Sequence, residues 1–321
     1  MDSENKQILI LGVTASGKGR LAFELAKSLN GEIISVDSMK VYRRMNIGTA
    51  KPPAEKREQI PYHLIDVAEP SESFSVAGFL EMSKAAIKEI ESKNKPVIAV
   101  GGTALYIKSM LYGLFEGPGA DEKIREELKE QVKTEGLAQL YAQLQKTDPE
   151  AASRISANDQ RRIVRALEVY RLTGKPISSF QSQWNQTSSS DWTLIGLRRG
   201  KNEESKRINA RVKKMLDDGL VDEVKNLLAE PNPPSKQAAS AIGYAEIIDH
   251  LSGQTTLDDA IELIKKNTRK FAKQQRTWFK TFPGVHWLDI TPDETQDSVL
   301  NRTQEIVSRK LRIENAEFKR T

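Results

Sequence analysis

Short runs of consecutive apolar residues recur along the chain, each bounded by turn-forming or polar residues. Such runs predict strands of a parallel sheet, because strands covered on both faces are apolar throughout and do not alternate. The predicted strands are residues 8–11, 32–36, 63–67, 96–100, 192–197 and 285–290. Apolar residues at helical spacing predict helices between them, for example over residues 20–29 and 76–92. This alternation indicates an α/β fold with helices on both faces of the sheet.

The pattern changes in the middle of the chain. From residue 117 to residue 190 it is helical and polar, with no convincing strand, and residues 178–190 are rich in Ser and Gln, as expected of a connector. We therefore predict an all-helical domain over residues 117–190. It would be inserted into an α/β core formed by residues 1–116 and 191–321.

Composition narrows the possible functions. Of the 321 residues 38% are hydrophobic, and 49 Lys and Arg against 44 Asp and Glu permit a polyanionic partner without requiring one. The lack of cysteine excludes disulfides, Cys-ligated zinc and thiol catalysis, and the three histidines have no ligand spacing. No apolar run reaches membrane-spanning length. We expect a soluble, cytoplasmic, monomeric protein with no membrane contact.

A glycine-containing loop follows the first predicted strand and precedes a helix. Its sequence is GVTASGKG, residues 12–19. In a strand–loop–helix unit the loop N–H groups converge on phosphate oxygens, and Lys18 adds a point charge. The predicted phosphate-binding residues are Gly12, Thr14, Ala15, Ser16, Gly17, Lys18 and Gly19. The fold is thus expected to be P-loop NTPase-like.

Gly19 stands where a P-loop usually has the Ser or Thr that binds Mg²⁺. Another binding mode for Mg²⁺ remains open, in which phosphate oxygens, water and a nearby carboxylate hold the ion. The loop predicts phosphate binding, but it does not by itself predict ATP as the ligand.

Two other predicted strands also end in polar residues. Asp37 follows the second strand, and Gly101-Gly102-Thr103 follows the fourth. The carboxyl ends of parallel strands share one edge of the sheet, so these residues should lie beside the phosphate loop. On position alone, Asp37 is either a catalytic carboxylate or a cap for the next helix.

Together these segments resemble the tRNA dimethylallyltransferase family, whose usual motifs are GPTASGKT/S, DSMQVY, IGTAKP and GGTGLY. Here they read GVTASGKG, DSMKVY, IGTAKP and GGTALY. The resemblance continues through PYHLID, RALEVY, TGKP, AIGY and the TR…WF segment, and covers about residues 7–290 in order. This sequence departs from the family at Val13, Gly19, Lys40, Ala104 and Gln274.

The resemblance implies an enzyme that transfers the dimethylallyl group of dimethylallyl diphosphate to an adenosine of tRNA. The acceptor would be the N6 amine of the adenosine immediately 3′ of the anticodon, in tRNAs that read codons beginning with U. Asp37 would be the general base, Thr103 would contact the flipped nucleotide, and Lys18 and Arg211 would face the diphosphate. Mg²⁺ would be the cofactor, bound through the diphosphate, and Asp37 would be the candidate protein ligand. Lys40 replaces a Gln that both donates and accepts hydrogen bonds, whereas a Lys only donates.

The resemblance also places tRNA contacts on several segments. They would involve Asp37, Ser38, Met39, Lys40, Thr103, Arg125, Arg161, Arg162 and Arg165. By pattern alone, the arginines around the apolar face of residues 163–170 (Ile163, Ala166, Leu167, Tyr170) fit either an RNA-binding helix or a solvated amphipathic one.

A second helical segment, residues 260–282, carries one acid, Glu262, among many basic residues. Five basic residues fall within roughly 80° of one another on the helix. They are Lys265, Arg269, Lys273, Arg276 and Lys280. A face of one sign indicates phosphate contacts with RNA. A neighbouring face of Ile261, Ile264, Phe271, Trp278 and Phe282 is predicted to be buried.

Three alternatives remain on sequence grounds. A P-loop kinase would use the same loop, although Gly19 and the lack of an Arg-rich lid disfavour it. A related enzyme class prenylates free AMP, ADP or ATP, which would need neither the insert nor the basic helix. A tRNA-binding protein that has lost catalysis would explain Gly19, Lys40 and Gln274.

Overall fold

The computed structural model describes residues 7–114, 117–180 and 192–318, with side chains up to residue 309. Six strands form one sheet in the order β3-β2-β4-β1-β5-β6, and every neighbouring pair is parallel. The strands are β1 (Gln7–Gly12), β2 (Glu32–Val36), β3 (Tyr62–His63), β4 (Val97–Gly101), β5 (Trp192–Arg198) and β6 (His286–Asp289). The predicted α/β class with a parallel sheet is confirmed.

Helices separate and follow the strands. Those before β5 are α1 (Lys18–Leu29), α2 (Ala54–Gln59), α3 (Val76–Ser92), α4 (Ala104–Tyr112), α5 (Glu122–Glu135), α6 (Leu137–Thr147), α7 (Pro149–Arg154) and α8 (Gln160–Thr173). Those after β5 are α9 (Lys201–Asp217), α10 (Leu220–Leu228), α11 (Lys236–Ala239), α12 (Tyr244–Leu251), α13 (Leu257–Phe279) and α14 (Gln296–Phe318). The predicted helix over residues 76–92 is confirmed at both ends.

The third strand is much shorter than residues 63–67. It ends at His63, and Leu64 and Asp66 have φ angles of 62° and 57°, which no strand contains. The Asp66 carboxylate pairs with Lys51 at 2.6 Å and with Arg57 at 2.7 Å. The chain turns to make these ion pairs, and an apolar run does not reveal partners of this kind.

The sheet is buried on both faces. Ile8, Ile10 and Ile33 pack with residues of α1 and α14 in one cluster. On the other face α3 contacts β2 and β4, and its Phe79 and Ile90 are fully buried. This double coverage is the physical reason that the strands are apolar throughout.

The chain divides into two compact units, one of residues 1–110 with 190–321 and the other Leu111–Ser189. The described part of the second unit contains only helices, packed around Leu128, Leu140, Ile163 and Leu167. Most of the predicted connector over residues 178–190 lies outside the described residues. On the apolar face of α8, Ile163, Ala166 and Leu167 are buried, whereas Tyr170 is 36% exposed.

Within the described residues, no helix has the length and apolar character needed to cross a membrane.

Candidate active site

Three loops meet at the carboxyl edge of the sheet, after the neighbouring strands β2, β4 and β1. Gly101 pairs in register with both Leu11 and Val36, so the three strands end at the same level. A Cβ on Gly101 would lie 1.9 Å from the Val36 carbonyl oxygen, which shows how closely the two loops approach. This arrangement brings the phosphate loop, Asp37 and Thr103 together, as predicted.

The phosphate loop takes two left-handed residues, Ala15 (φ 62°) and Gly17 (φ 100°), before α1 begins at Lys18. Thr14, Ala15, Gly17, Lys18 and Gly19 line a cavity at the sheet edge. Gly12 and Ser16 do not line it. Ser16 is fully buried, and its Oγ would lie 2.8 Å from a Cβ on Gly12, so these two residues set the shape of the loop.

Lys18 and Arg211 bring positive charge to this loop. Lys18 Nζ donates to the Val13 carbonyl at 3.1 Å, and Arg211 donates to the Thr14 hydroxyl at 3.1 Å. Burial, reinforced by the charges of Arg211 and Lys40, lowers the pKa of Lys18 to about 7, while Asp37 opposes the shift. Burial also lowers the pKa of Arg211. Crowded, desolvated cations of this kind are stabilised by a bound anion.

Asp37 and Thr103 face the same cavity. Asp37 Oδ1 accepts the N–H groups of Met39 at 2.9 Å and Lys40 at 3.2 Å. Thr103 Oγ1 accepts the Ser38 N–H at 3.0 Å. Burial lowers the pKa of Lys40, and the Asp37 carboxylate opposes that shift. The four residues from Asp37 to Lys40 therefore form one wall, with a carboxylate that is already oriented by the backbone.

The cavity has a volume of about 850 Å³, and residues of α9 and α13 give it a partly apolar wall. That wall includes Val212 and Met215 of α9 and Ile264 and Phe271 of α13. Phe271 was predicted to be buried but is 37% exposed and lines the cavity, so that prediction is wrong. Periodicity could not separate an inward-facing residue from one facing a cavity, because both lie on the apolar side of the helix.

Two arginines that the sequence did not single out also hold the phosphate loop. Arg199 Nε donates to the Ser16 carbonyl at 2.9 Å, and Arg207 Nε donates to the Ala15 carbonyl at 2.8 Å. With Arg211, they direct three guanidinium groups at three consecutive loop residues. The spacing of Arg207 and Arg211, one helical turn apart, was a usable signal. Arg199, which directly follows β5, gave none.

The basic residues of α13 have unequal environments. Lys265 pairs with Glu262 at 2.7 Å, and Arg269 donates to Asn209 of α9 at 2.8 Å. Arg276 forms a close ion pair with Glu204 of α9, whereas Lys273 is exposed. Ile264 and Phe282 are buried, and Ile261 and Trp278 are half-buried. Arg269 and Arg276 thus link α13 to α9 in addition to any contact they make with RNA.

In the helical unit, Arg161 and Arg162 are exposed on α8. Arg125 and Arg165 both pair with Glu168, which is fully buried, at 3.0 Å and 2.8 Å. Glu168 also accepts the N–H of Asp121 at 2.7 Å. These pairs give Arg125 and Arg165 a structural function in the unit, and RNA contact by the four arginines stays a prediction.

Known proteins are similar to this chain in both sequence and fold. The family model described as IPP transferase matches residues 40–282. A tRNA dimethylallyltransferase 2 from Geotalea uraniireducens is 46% identical over 292 residues, covering 90% of this chain and 94% of the relative. A tRNA dimethylallyltransferase from Geobacter metallireducens is 44% identical over 289 residues, covering 90% and 94% of the two chains.

Solved structures agree. The tRNA isopentenylpyrophosphate transferase from Bacillus halodurans superposes with a TM-score of 0.71 at 39% identity, covering 97% of this chain and 99% of that one. A eukaryotic dimethylallyltransferase acting on tRNA gives a TM-score of 0.77 at 29% identity, covering 95% and 80%. The family model matches most of the chain, and the relatives cover nine-tenths of it at more than 40% identity. This chain therefore belongs to the IPP transferase family, that of the tRNA dimethylallyltransferases.

Proposed function

We propose that this enzyme transfers the dimethylallyl group of dimethylallyl diphosphate to the N6 amine of the adenosine immediately 3′ of the anticodon, in tRNAs that read codons beginning with U. A carbon–nitrogen bond forms to the allylic carbon, the carbon–oxygen bond to diphosphate breaks, and one amine proton is lost. The observation that carries the proposal is one cavity in which Lys18 and Arg211 face Asp37 and Thr103.

The diphosphate would lie against the phosphate loop. Negative charge builds on the leaving group as the carbon–oxygen bond breaks, and fixed charges stabilise it in place of water. Lys18 and Arg211 supply such charges, and Arg199 and Arg207 keep the loop in shape through its carbonyls. The apolar wall with Met215 and Phe271 would accommodate the five-carbon chain.

The adenine would lie against the wall of residues 37–40. Asp37 would accept the amine proton, and its oriented carboxylate suits that function because the backbone N–H groups of Met39 and Lys40 fix Oδ1. Within the described part of the chain, the hydrogen bonds to Asp37 all go to Oδ1, so Oδ2 is the oxygen proposed to face the amine. The base must leave its stack to reach this cavity.

Magnesium is the metal best suited to a diphosphate substrate, since it prefers phosphate oxygens and water. The protein offers Asp37 as a carboxylate ligand, and Gly19 contributes no hydroxyl. These donors fit an ion that is coordinated mainly by the diphosphate. Asp37 would coordinate the ion directly or through a water molecule. When bound, the ion would neutralise part of the charge on the leaving group.

Two regions are proposed to contact the tRNA. The basic face of α13 (Lys265, Arg269, Lys273 and Arg276) would bind phosphates without reading sequence. In the helical unit, the exposed Arg161 and Arg162, with Arg125 and Arg165, would serve the anticodon stem-loop. A free mononucleotide would need neither region, and this favours tRNA over AMP as the acceptor.

Transfer of labelled dimethylallyl from its diphosphate, with an anticodon stem-loop and AMP as separate acceptors, tests the proposal. We expect label on the stem-loop and none on AMP. Label on AMP would assign the protein to the enzymes that prenylate free nucleotides. Tight stem-loop binding without transfer would favour a tRNA-binding protein that has lost catalysis.

A further inference from the structure

The side chain of Gln275 connects two loops of the cavity. It lies on α13 and is 4% exposed. Its Oε1 accepts the backbone N–H of Thr14 at 2.8 Å, and its Nε2 donates to the carbonyl of Gly102 at 2.8 Å. These partners lie 261 and 173 residues away along the chain. One carboxamide thus joins the phosphate loop to the turn that precedes Thr103.

The contact requires a carboxamide of this length. A Glu carboxylate could accept from Thr14 but has no donor for the Gly102 carbonyl. A Met thioether has no donor and is only a weak acceptor. Asn has the carboxamide, but its side chain is one methylene shorter. Gly102 must also lack a side chain, because a Cβ there would lie 2.4 Å from Gln275 Nε2. Buried polar groups joined in this way fix a single geometry.

One of the two loops that Gln275 joins would bind the diphosphate, and the other leads to the residues proposed to bind the adenine. On the diphosphate side, the Thr14 hydroxyl accepts a hydrogen bond from the Arg211 guanidinium. The turn at Gly102 leads into Thr103, whose hydroxyl accepts the Ser38 N–H beside Asp37. Gln275 is therefore a direct hydrogen-bonded link between the diphosphate side and the base side of the cavity.

We propose that Gln275 is a positioning residue that sets the distance between the phosphate loop and the Asp37–Thr103 wall. This inference rests on the proposed prenyl transfer and deepens it. Lys18 and Arg211 are the side chains proposed to bind the diphosphate, and loss of the Gln275 carboxamide removes neither of them. Misalignment should therefore reduce kcat while leaving KM for dimethylallyl diphosphate nearly unchanged.

The test compares Gln275→Met and Gln275→Glu with Gln254→Met and Gln254→Glu, since Gln254 is an exposed glutamine in the turn that precedes α13. For Gln275→Met we expect kcat to fall about 10- to 100-fold, with KM for dimethylallyl diphosphate and Kd for the stem-loop each within about threefold. Gln275→Glu keeps only the bond to Thr14 and should also lose activity. Both Gln254 variants should match the wild type.

Hydrogen exchange of the Thr14 amide measures the bond itself, independently of turnover. We expect this amide to exchange faster in Gln275→Met than in Gln254→Met. Unchanged kcat in both Gln275 variants, or unchanged Thr14 exchange, would overturn the positioning function. So would a parallel loss of stem-loop affinity and melting temperature, which would indicate general destabilisation. If the wild-type protein protects the Thr14 amide from exchange but transfers no label to the stem-loop, the proposed function is refuted instead.

Discussion

The Tyr244 hydroxyl donates a 2.6 Å hydrogen bond to Glu223 Oε1, and the same carboxylate binds a backbone loop. Glu223 accepts N–H groups from Asn46 at 2.9 Å, Ile47 at 2.8 Å and Gly48 at 3.2 Å. The Tyr244 ring lies so close to Gly48 that an added Cβ would be 2.4 Å from it. The residues after Gly48 line the cavity, so α10 and α12 hold one of its walls through this contact.

Gly48→Ala should displace that wall. The new methyl group cannot share space with the Tyr244 ring, and we expect kcat/KM for prenyl transfer to fall by about tenfold or more. Gly78→Ala, in α3, is the matched control, because its Cβ would meet no atom closer than 3.5 Å. Tyr244→Phe keeps the ring and should cost only about 1 kcal/mol of unfolding free energy. Equal kinetics for Gly48→Ala and Gly78→Ala would contradict this account.

Diphosphate binding should be linked to protonation of Lys18. The pKa of Lys18 in the free enzyme is lowered to about 7, and a bound anion favours the charged form, so binding raises that pKa. Affinity for dimethylallyl diphosphate should therefore fall as pH rises above 7, by up to about tenfold per pH unit. Calorimetry in two buffers of different ionisation enthalpy would detect the proton uptake. Affinity independent of pH between 7 and 9 would refute the linkage.

Lys40→Gln offers a second test of the same linkage. Removing this neighbouring positive charge relieves one cause of the lowered pKa of Lys18. The decline in affinity should then begin at a higher pH than in the wild type. A decline that stays at the same pH would show that Lys40 does not act on Lys18.

Much of this site could be predicted from sequence, and what was missed has a common cause. Asp37, Thr103 and Lys18 follow apolar strands whose parallel order fixes where they meet, so local pattern was enough to place them together. Gln275 and Arg199 act through hydrogen bonds to backbone groups more than 170 residues away, and no periodicity encodes such a partner. The early end of the third strand was also missed, because an apolar run does not reveal the ion pairs that Asp66 makes with Lys51 and Arg57.

Glu32 should make the fold sensitive to acid. It is 1% exposed and accepts hydrogen bonds from His63 at 2.8 Å and Lys95 at 2.9 Å. Burial alone would raise the pKa of Glu32, but the bonds from Lys95, His63 and Lys93 outweigh it and lower the pKa to about 2. The pKa is depressed in the folded state, so this stabilisation is present above pH 4.5 and is lost as pH falls towards 2.

Glu32→Gln should accordingly lower the free energy of unfolding at pH 7 by about 1–3 kcal/mol. The difference from the wild type should shrink as the pH falls below 4.5. Urea denaturation at several pH values measures both quantities, with Glu81→Gln, at an exposed position of α3, as control. A deficit that does not change with pH would exclude the ionised carboxylate as its source.

The basic face of α13 should bind RNA phosphates. Lys273 and Lys280 are both exposed. Replacing both by Gln should weaken tRNA binding and reduce the slope of log K against log salt by about 0.7 to 0.9 per lost phosphate contact. Lys84 and Lys88, exposed on α3, supply a control pair with the same change of charge. An unchanged slope in the α13 variant, or equal slopes in the two pairs, would refute the assignment of this face.

The central claim is that Asp37 removes the amine proton during prenyl transfer to tRNA. Asp37→Asn retains an Oδ1 acceptor for the N–H groups of Met39 and Lys40, so the wall should keep its shape. The most direct measurement is the single-turnover rate of dimethylallyl transfer to an anticodon stem-loop, together with the Kd of the stem-loop. We predict a rate lower by about 10²- to 10⁴-fold with a Kd within about twofold of the wild type. A rate close to the wild type would contradict the claim, and equal losses of rate and affinity would make Asp37 a structural residue.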